Sequence, residues 1–295
     1  GMNKEQLREV ATYYEDVWLM KMENGWSDGC IHYGLHIDGM NTKPKMNTNR
    51  LIENTLVREM PPRSIEKGWN VLDLGCGIGG TLKHLWSKQK RAWRLAGICS
   101  SPKEERIAAM SLPTWVDVVA LDYHDLSLTE HFYDLHGVYA VESLCQSWDR
   151  PRVLANVWYA LAPGGVFLVL DAMLDGDPPD DYGPGPVGEK TLKDLYDDVR
   201  SGFHVPDLYE VPLMTELVTA GFEVEQELDF TPNVAESIFD SAGRAIYRDG
   251  TNCIPLRKQL HGLACVGMAA LLAHKKLRYT LTIARKPIDA DTEAK

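Results

Sequence analysis

The densest chemical signal in this chain is a run of glycines behind an acid, Val71-Leu-Asp-Leu-Gly-Cys-Gly-Ile-Gly-Gly80. Glycines at such a turn let the backbone approach a ligand and permit positive φ. Val71–Leu74 reads as the end of a buried strand, and a helix is expected to begin near Thr81. That puts the turn at the carboxyl end of a strand, where open α/β sheets bind ligands. Gly75, Gly77 and Gly80 also satisfy the GxGxxG dinucleotide pattern, which alone is weak. Two features separate the readings. Asp73 can accept a hydrogen bond from a ligand ammonium but would repel a pyrophosphate. An NAD site wants an acid at the end of the next strand, ~20 residues on. Here that strand ends Gly97-Ile-Cys-Ser-Ser101, with none. The loop with Asp73, Gly75, Cys76 and Gly77 therefore reads as a site for S-adenosylmethionine, with an NAD-dependent oxidoreductase as the alternative.

Other groups able to do chemistry are scattered. Glu142 follows the apolar run Gly137–Val141. Tyr13, Tyr14, Trp18, His32 and Tyr33 cluster near the start, though Tyr14 and Trp18 at helical spacing also suit core packing. Phe239, Arg244, Tyr247, Arg248, Arg257, Lys258 and His261 occupy a late segment. They suit a diphosphate-bearing substrate or a solvated helix face. Asp175-Gly-Asp-Pro-Pro-Asp-Asp181 lacks a recognisable ligand spacing, so it reads as a solvated loop and no metal is expected. His84, His124 and His204 are given no role.

The elements that must position these groups follow from periodicity. Apolar runs at Asn70–Leu74, Arg94–Cys99, Val116–Leu121, Gly137–Val141 and Val166–Leu170 alternate with helical stretches. That alternation implies a parallel sheet covered on both faces. Residues 4–20 and 47–60 read as helices, the second ended by Pro61-Pro62, with a loop over 24–43. Helices are expected over 189–201 and 211–220, then a Gly221 C-cap and a strand Phe222–Phe230. A helical insertion over 233–275 precedes the strand Leu277–Ala284. Of 295 residues, 44% are hydrophobic and 25% charged, as in ordinary globular chains. The net charge of −11 argues against a nucleic-acid partner. No run approaches the ~18 apolar residues of a membrane span. Gly1 before Met2 reads as a cleavage remnant, and Lys4, Glu5, Arg8 and Glu9 break any secretory signal. Six cysteines without a CxxC pair suit a reducing, cytoplasmic setting.

From Tyr13 to about Pro287 the chain resembles the class I methyltransferases, in particular their sterol, tocopherol and terpenoid C-methyltransferase branch. Tyr13-Tyr14 with Ile31-His-Tyr-Gly34 resembles that branch's N-terminal signature. Gly97-Ile-Cys-Ser-Ser-Pro102 and Val141-Glu-Ser-Leu144 resemble its second- and fourth-strand motifs, and Leu161-Ala-Pro-Gly-Gly165 precedes the fifth strand. Two departures stand out. Glu104 replaces the branch's usual Gln, and Gln146 replaces its usual His.

The resemblance implies a Rossmann-like α/β core, a mostly parallel seven-stranded sheet with helices on both faces. It implies an N-terminal helical cap at 3–60, a core at 61–232, a lid insert at 233–275, a last strand at 276–287 and a disordered tail at 288–295. It implies S-adenosylmethionine bound by Asp73, Gly75, Cys76, Gly77, Ser100, Ser101, Glu104, Asp122, Tyr123 and Glu142. Asp122 also suits a turn or helix cap, and Ser100 and Ser101 suit capping of the next helix. Glu142, Tyr14 and His32 are the expected catalytic groups. Glu142 acts either as a base or as an anchor. Tyr13, Trp18, Tyr33, Gln146, Tyr196 and Phe239 are the expected acceptor contacts. The expected reaction is C-methylation of an isoprenoid alkene through a carbocation, with O- or N-methylation of another small molecule as the alternative. The helix at 4–20 could cover its own core or join a second copy of the chain.

Overall fold

Seven extended segments, all but the polar edge strand rich in apolar residues, build one sheet in the order β3-β2-β1-β4-β5-β7-β6. They are β1 (Trp69–Leu74), β2 (Trp93–Cys99), β3 (Asp117–Ala120), β4 (Leu135–Val141), β5 (Leu161–Leu174), β6 (Glu223–Asp229) and β7 (Leu277–Arg285). The computed structural model describes residues 9, 11–16, 30–38, 43–62, 68–89, 93–125, 132–180, 190–249 and 256–288. The first five strands pair in parallel. β7 runs antiparallel between β5 and β6. The central strands are buried along nearly their whole length, β4 in the pattern of six buried residues followed by one intermediate. A parallel strand covered on both faces has no polar side to show, which is why these runs are continuously apolar.

Strand order reverses between β1 and β4, and the loops that follow those two strands open on the same crevice. This switch point is where doubly wound sheets take ligands. The helices α1 (Pro44–Glu59), α2 (Gly80–Gln89), α3 (Pro102–Ser111) and α4 (Arg150–Ala160) accompany the parallel strands. α1 begins three residues before the expected 47, because Pro44 suits a first helical turn. α5 (Leu192–Phe203) opens on a Thr191–Asp194 capping box. α6 (Leu213–Thr219) closes through Gly221, at φ +96°.

The expected insertion between β6 and β7 is a helix pair, α7 (Thr231–Asp249) and α8 (Leu256–Ala273). α8 lies against α5 so closely that a Cβ on Gly267 would overlap the Leu195 carbonyl. Of the expected first helix, residues 11–16 are helical. Trp18 and most of the 288–295 tail lie outside the described residues.

Candidate active site

Strand ends, cap and lid enclose a cavity of about 700 Å³. Its floor is the turn after β1. Gly75 and Gly77 hold φ of +106° and +53°, and a Cβ on Gly75 would overlap the Ser143 side chain. Ser143 Oγ in turn donates to the Leu74 carbonyl, which joins the ends of β1 and β4. Asp73, buried, accepts from Tyr139 Oη at 2.8 Å. Burial pushes its carboxyl up to about 7, against the pull of Tyr139 and His32. A cation placed beside such an acid would favour its ionised form.

The loops after β2 and β3 supply the next wall. Ser100 donates to Glu104 Oε2 through its N–H (3.0 Å) and Oγ (2.6 Å), and Glu104 and Ser100 both line the cavity. Ser101 does not line it. It is buried as the N-cap of α3, accepting from Glu104 N, so the capping reading holds for this residue. Asp122 forms a turn, accepting from His124 N at 3.0 Å, and also lines the cavity. Burial works to raise its carboxyl, but the hydrogen bonds and charge of His124 outweigh that and hold it below the usual range. Tyr123 lines the cavity with its hydroxyl tied to the Ser143 carbonyl, 3.1 Å.

Glu142 stands at the end of β4 with φ +49°, unusual for a side chain with a Cβ. Its Oε1 accepts from Tyr33 N (2.8 Å) and Tyr279 Oη (2.6 Å). Burial raises its carboxyl, and His32 and these two donors partly offset that. Glu142 thus ties the cap segment at 30–38 to the sheet. His32 Nδ1 meets the Tyr33 carbonyl at 2.9 Å. A carbonyl only accepts, so Nδ1 carries the proton, and Nε2 is buried on the side of Asn49. Burial lowers the His32 pKa more than Glu142 raises it, so the ring is neutral at pH 7.

Tyr13, Tyr14, His32, Tyr33 and Gln146 also line the cavity. Tyr196 and Phe239 do not. Tyr196 turns its hydroxyl to Glu210 and Leu208 N, propping the wall from behind, and Phe239 is largely exposed on α7. The side chains of Tyr247, Arg248, Arg257 and Lys258 lie outside the described residues. Asp175 on the acidic loop pairs with Arg278 at 3.3 Å.

Several cavity residues had no place in the sequence reading. Asp171 of β5 is buried, accepts from Cys145 N, Tyr209 Oη and Ala172 N, and is raised by burial to about 6. An acid inside the apolar run Val166–Leu174 was a usable signal, since a buried charge needs partners. Phe203 and Met268 complete the apolar wall, and His261, named in the sequence among the late-segment residues, hydrogen-bonds with Tyr13 Oη at 2.9 Å. His124, set aside in the sequence, lines the cavity beside Asp122.

A sheet ordered 3-2-1-4-5-7-6, a glycine turn after β1 and a buried acid at the end of that strand are features of a class I S-adenosylmethionine-dependent methyltransferase, and this chain is one. Residues 72–169 match the family model described as a methyltransferase domain. An O-methyltransferase of Pyrenophora dematioidea is 26% identical over 258 residues, covering 84% of this chain and 89% of that protein. Cycloartenol-C-24-methyltransferase 1 of Oryza sativa subsp. japonica is 24% identical over 237 residues, covering 77% of this chain and 62% of that longer protein. Among solved structures, the 4+2 cyclase SpnF superposes with a TM-score of 0.67 at 21% identity, covering 96% of this chain and 97% of that one. No helix among the described residues is long and apolar enough to cross a membrane.

Proposed function

We propose that this methyltransferase alkylates an alkene carbon of an isoprenoid or prenylated small molecule. The observation that carries the reading is the aromatic wall of Tyr13, Tyr14, Tyr33 and Phe203 around the cavity. Burial pushes the three phenols well above their usual range. They stay neutral and offer π faces, which attract positive charge. An alkene that takes a methyl leaves a carbocation, and that charge is what such a wall stabilises.

S-adenosylmethionine supplies a methyl already activated on a sulfonium. In this reading Asp73 pairs with its ammonium, while Gly75, Cys76 and Gly77 admit it closely. Ser100 and Glu104 hold the ribose, and Asp122 and Tyr123 flank the adenine. Glu142 fixes the cap through Tyr33, so its role is the anchor and not the base. Tyr14 and His32 act at the acceptor, and neutral His32 takes the proton lost from the methylated cation. Tyr13, Tyr33 and Gln146 shape the acceptor pocket, and closure excludes water.

The O-methyltransferase relative favours a second reading, transfer to a hydroxyl whose proton passes to His32. Transfer of labelled methyl to a panel of prenols, sterols, phenols and amines, with NMR of the products, separates the two. A new methyl on carbon is expected. A new methyl on oxygen or nitrogen overturns the leading reading.

A further inference from the structure

His124 sits in a string that joins the end of β3 to the turn after β4. Its Nδ1 lies 2.6 Å from Asp122 Oδ1, and its Nε2 lies 2.8 Å from Ser147 Oγ. The ring is buried, 3% exposed, and stacks on Trp148 with centroids 4.5 Å apart. On its other side Tyr123 lies 4.8 Å away. The turn itself is pinned as well. Asn156 Nδ2 donates to the carbonyls of Tyr123 and Asp125, and Asp125 N donates to the Asp122 carbonyl.

The connectivity acid–imidazole–hydroxyl is that of a hydrolase relay, but the direction is reversed. Ser147 is 1% exposed, does not line the cavity, and accepts from Asp149 N at 3.2 Å. No substrate reaches it, so it cannot be a nucleophile. The end of the string that does line the cavity is Asp122. An ionised carboxylate only accepts, so the His124 Nδ1–H donates to it, and Nε2 meets the Ser147 hydroxyl on the far side of the ring. Both His124 donors, N–H and Nδ1–H, converge on Oδ1. Oδ2 has no hydrogen bond among the described residues.

We infer that His124, held by Ser147, is the positioning residue that turns the Asp122 carboxylate toward the cofactor's base and so sets the preference for adenine. The inference rests on the reading of Asp122 as the acceptor for the exocyclic amine. Hypoxanthine presents a carbonyl oxygen where adenine presents that amine, so a fixed carboxylate accepts from one and repels the other. The imidazole matters because it consumes Oδ1 and leaves one oxygen aimed at the ligand.

Calorimetry of the full chain with S-adenosylhomocysteine and S-inosylhomocysteine tests this. The native chain should prefer the adenine ligand. His124→Phe should weaken S-adenosylhomocysteine by roughly tenfold to a hundredfold, the worth of a charge-assisted hydrogen bond, and leave S-inosylhomocysteine no weaker than in the native chain. His124→Gln, whose amide can donate to Asp122 and accept from Ser147, should restore most of the preference. Ser147→Ala, which keeps the ring but frees its outer nitrogen, should reduce the preference several-fold. Equal weakening of both ligands in His124→Phe would mean a merely structural ring and overturns the inference. An unchanged preference in Ser147→Ala also overturns it, even where His124→Phe does not fold. Asp122→Asn separates the two layers. Loss of preference there but not in His124→Phe removes His124 alone, whereas retention in Asp122→Asn removes the adenine reading with it.

Discussion

The two halves of the cavity are built from contacts of different reach. On the cofactor side, partners are neighbours in sequence or on adjacent strands. Ser100 holds Glu104, His124 holds Asp122, and Tyr139 on β4 holds Asp73 on β1. On the side proposed for the acceptor, partners lie 109 to 248 residues apart. Tyr13 meets His261, Gly34 meets Ser237, and Tyr33 meets Glu142. The first half is written into short motifs that any chain with this sheet can carry. The second exists only once cap, sheet and lid have assembled. Acceptor choice can therefore diverge while the cofactor half stays put, as the differing names of the relatives suggest.

The largest effect should come from breaking the cofactor half at its tightest point. Gly75→Ala introduces a Cβ into Ser143 at a φ of +106°. The strain alone is of order 1–3 kcal/mol, and relief requires the loop to move. S-adenosylhomocysteine binding should fall below detection by calorimetry, while circular dichroism still reports the fold. Retained binding would show that the loop is looser than its packing implies.

Breaking the acceptor half at Glu142 should do the opposite. Glu142→Gln keeps the shape but weakens the clamp on Tyr33 N and Tyr279 Oη. Turnover should drop by about 10²-fold, the usual scale for losing a group that organises proton transfer, with S-adenosylhomocysteine affinity within about twofold of native. Unchanged turnover, read by labelled methyl transfer, would remove Glu142 from the mechanism.

The same division explains what the sequence showed. The glycine turn and Asp73 were legible as cavity residues because they close an apolar run, whereas Glu104 and Asp122 came only with the family resemblance. The central parallel strands were readable because burial on both faces leaves a continuous apolar record. Tyr196 was misplaced because a helical pattern identifies a buried face but not what that face meets. Here it meets Glu210 and the 203–209 segment, not the cavity. His124 looked isolated because Ser147, its second partner, lies beyond the whole of β4. Only its spacing from Asp122 hinted at the pair.

A third test sharpens the electrostatics of the cofactor half. Asp73 has a folded pKa of about 7, above the ~3.9 of an unfolded chain. The folded apo chain therefore holds a proton that the unfolded chain has already lost, and its stability falls as pH rises from ~4 toward 7. A ligand ammonium needs the ionised form. S-adenosylhomocysteine affinity should rise with pH up to about 7 and level off above it, changing by at most about tenfold per unit below. Asp73→Asn should bind weakly and without that slope. A native profile flat from about pH 5.5 to 8 would show that Asp73 is not the ammonium's partner.

The smallest effect is expected where the acceptor half is held by several weak ties at once. The cap segment and α7 are joined by His36 N to the Asn233 carbonyl (2.7 Å), Asn233 Nδ2 to the His36 carbonyl (2.9 Å) and Ser237 Oγ to the Gly34 carbonyl (2.8 Å). His36 Nδ1 also reaches Glu236 at 3.0 Å, but that acid is mostly exposed and the pair is screened. Ser237→Ala removes the bond to Gly34, worth about 1 kcal/mol, together with a longer contact to His36 Nε2 at 3.4 Å, and leaves the backbone bond in place. Amide exchange in α7 and in residues 34–38 should quicken severalfold together, with cofactor affinity unchanged. Exchange that quickens in one segment alone would mean that cap and lid open separately, and the acceptor half would then be two doors instead of one.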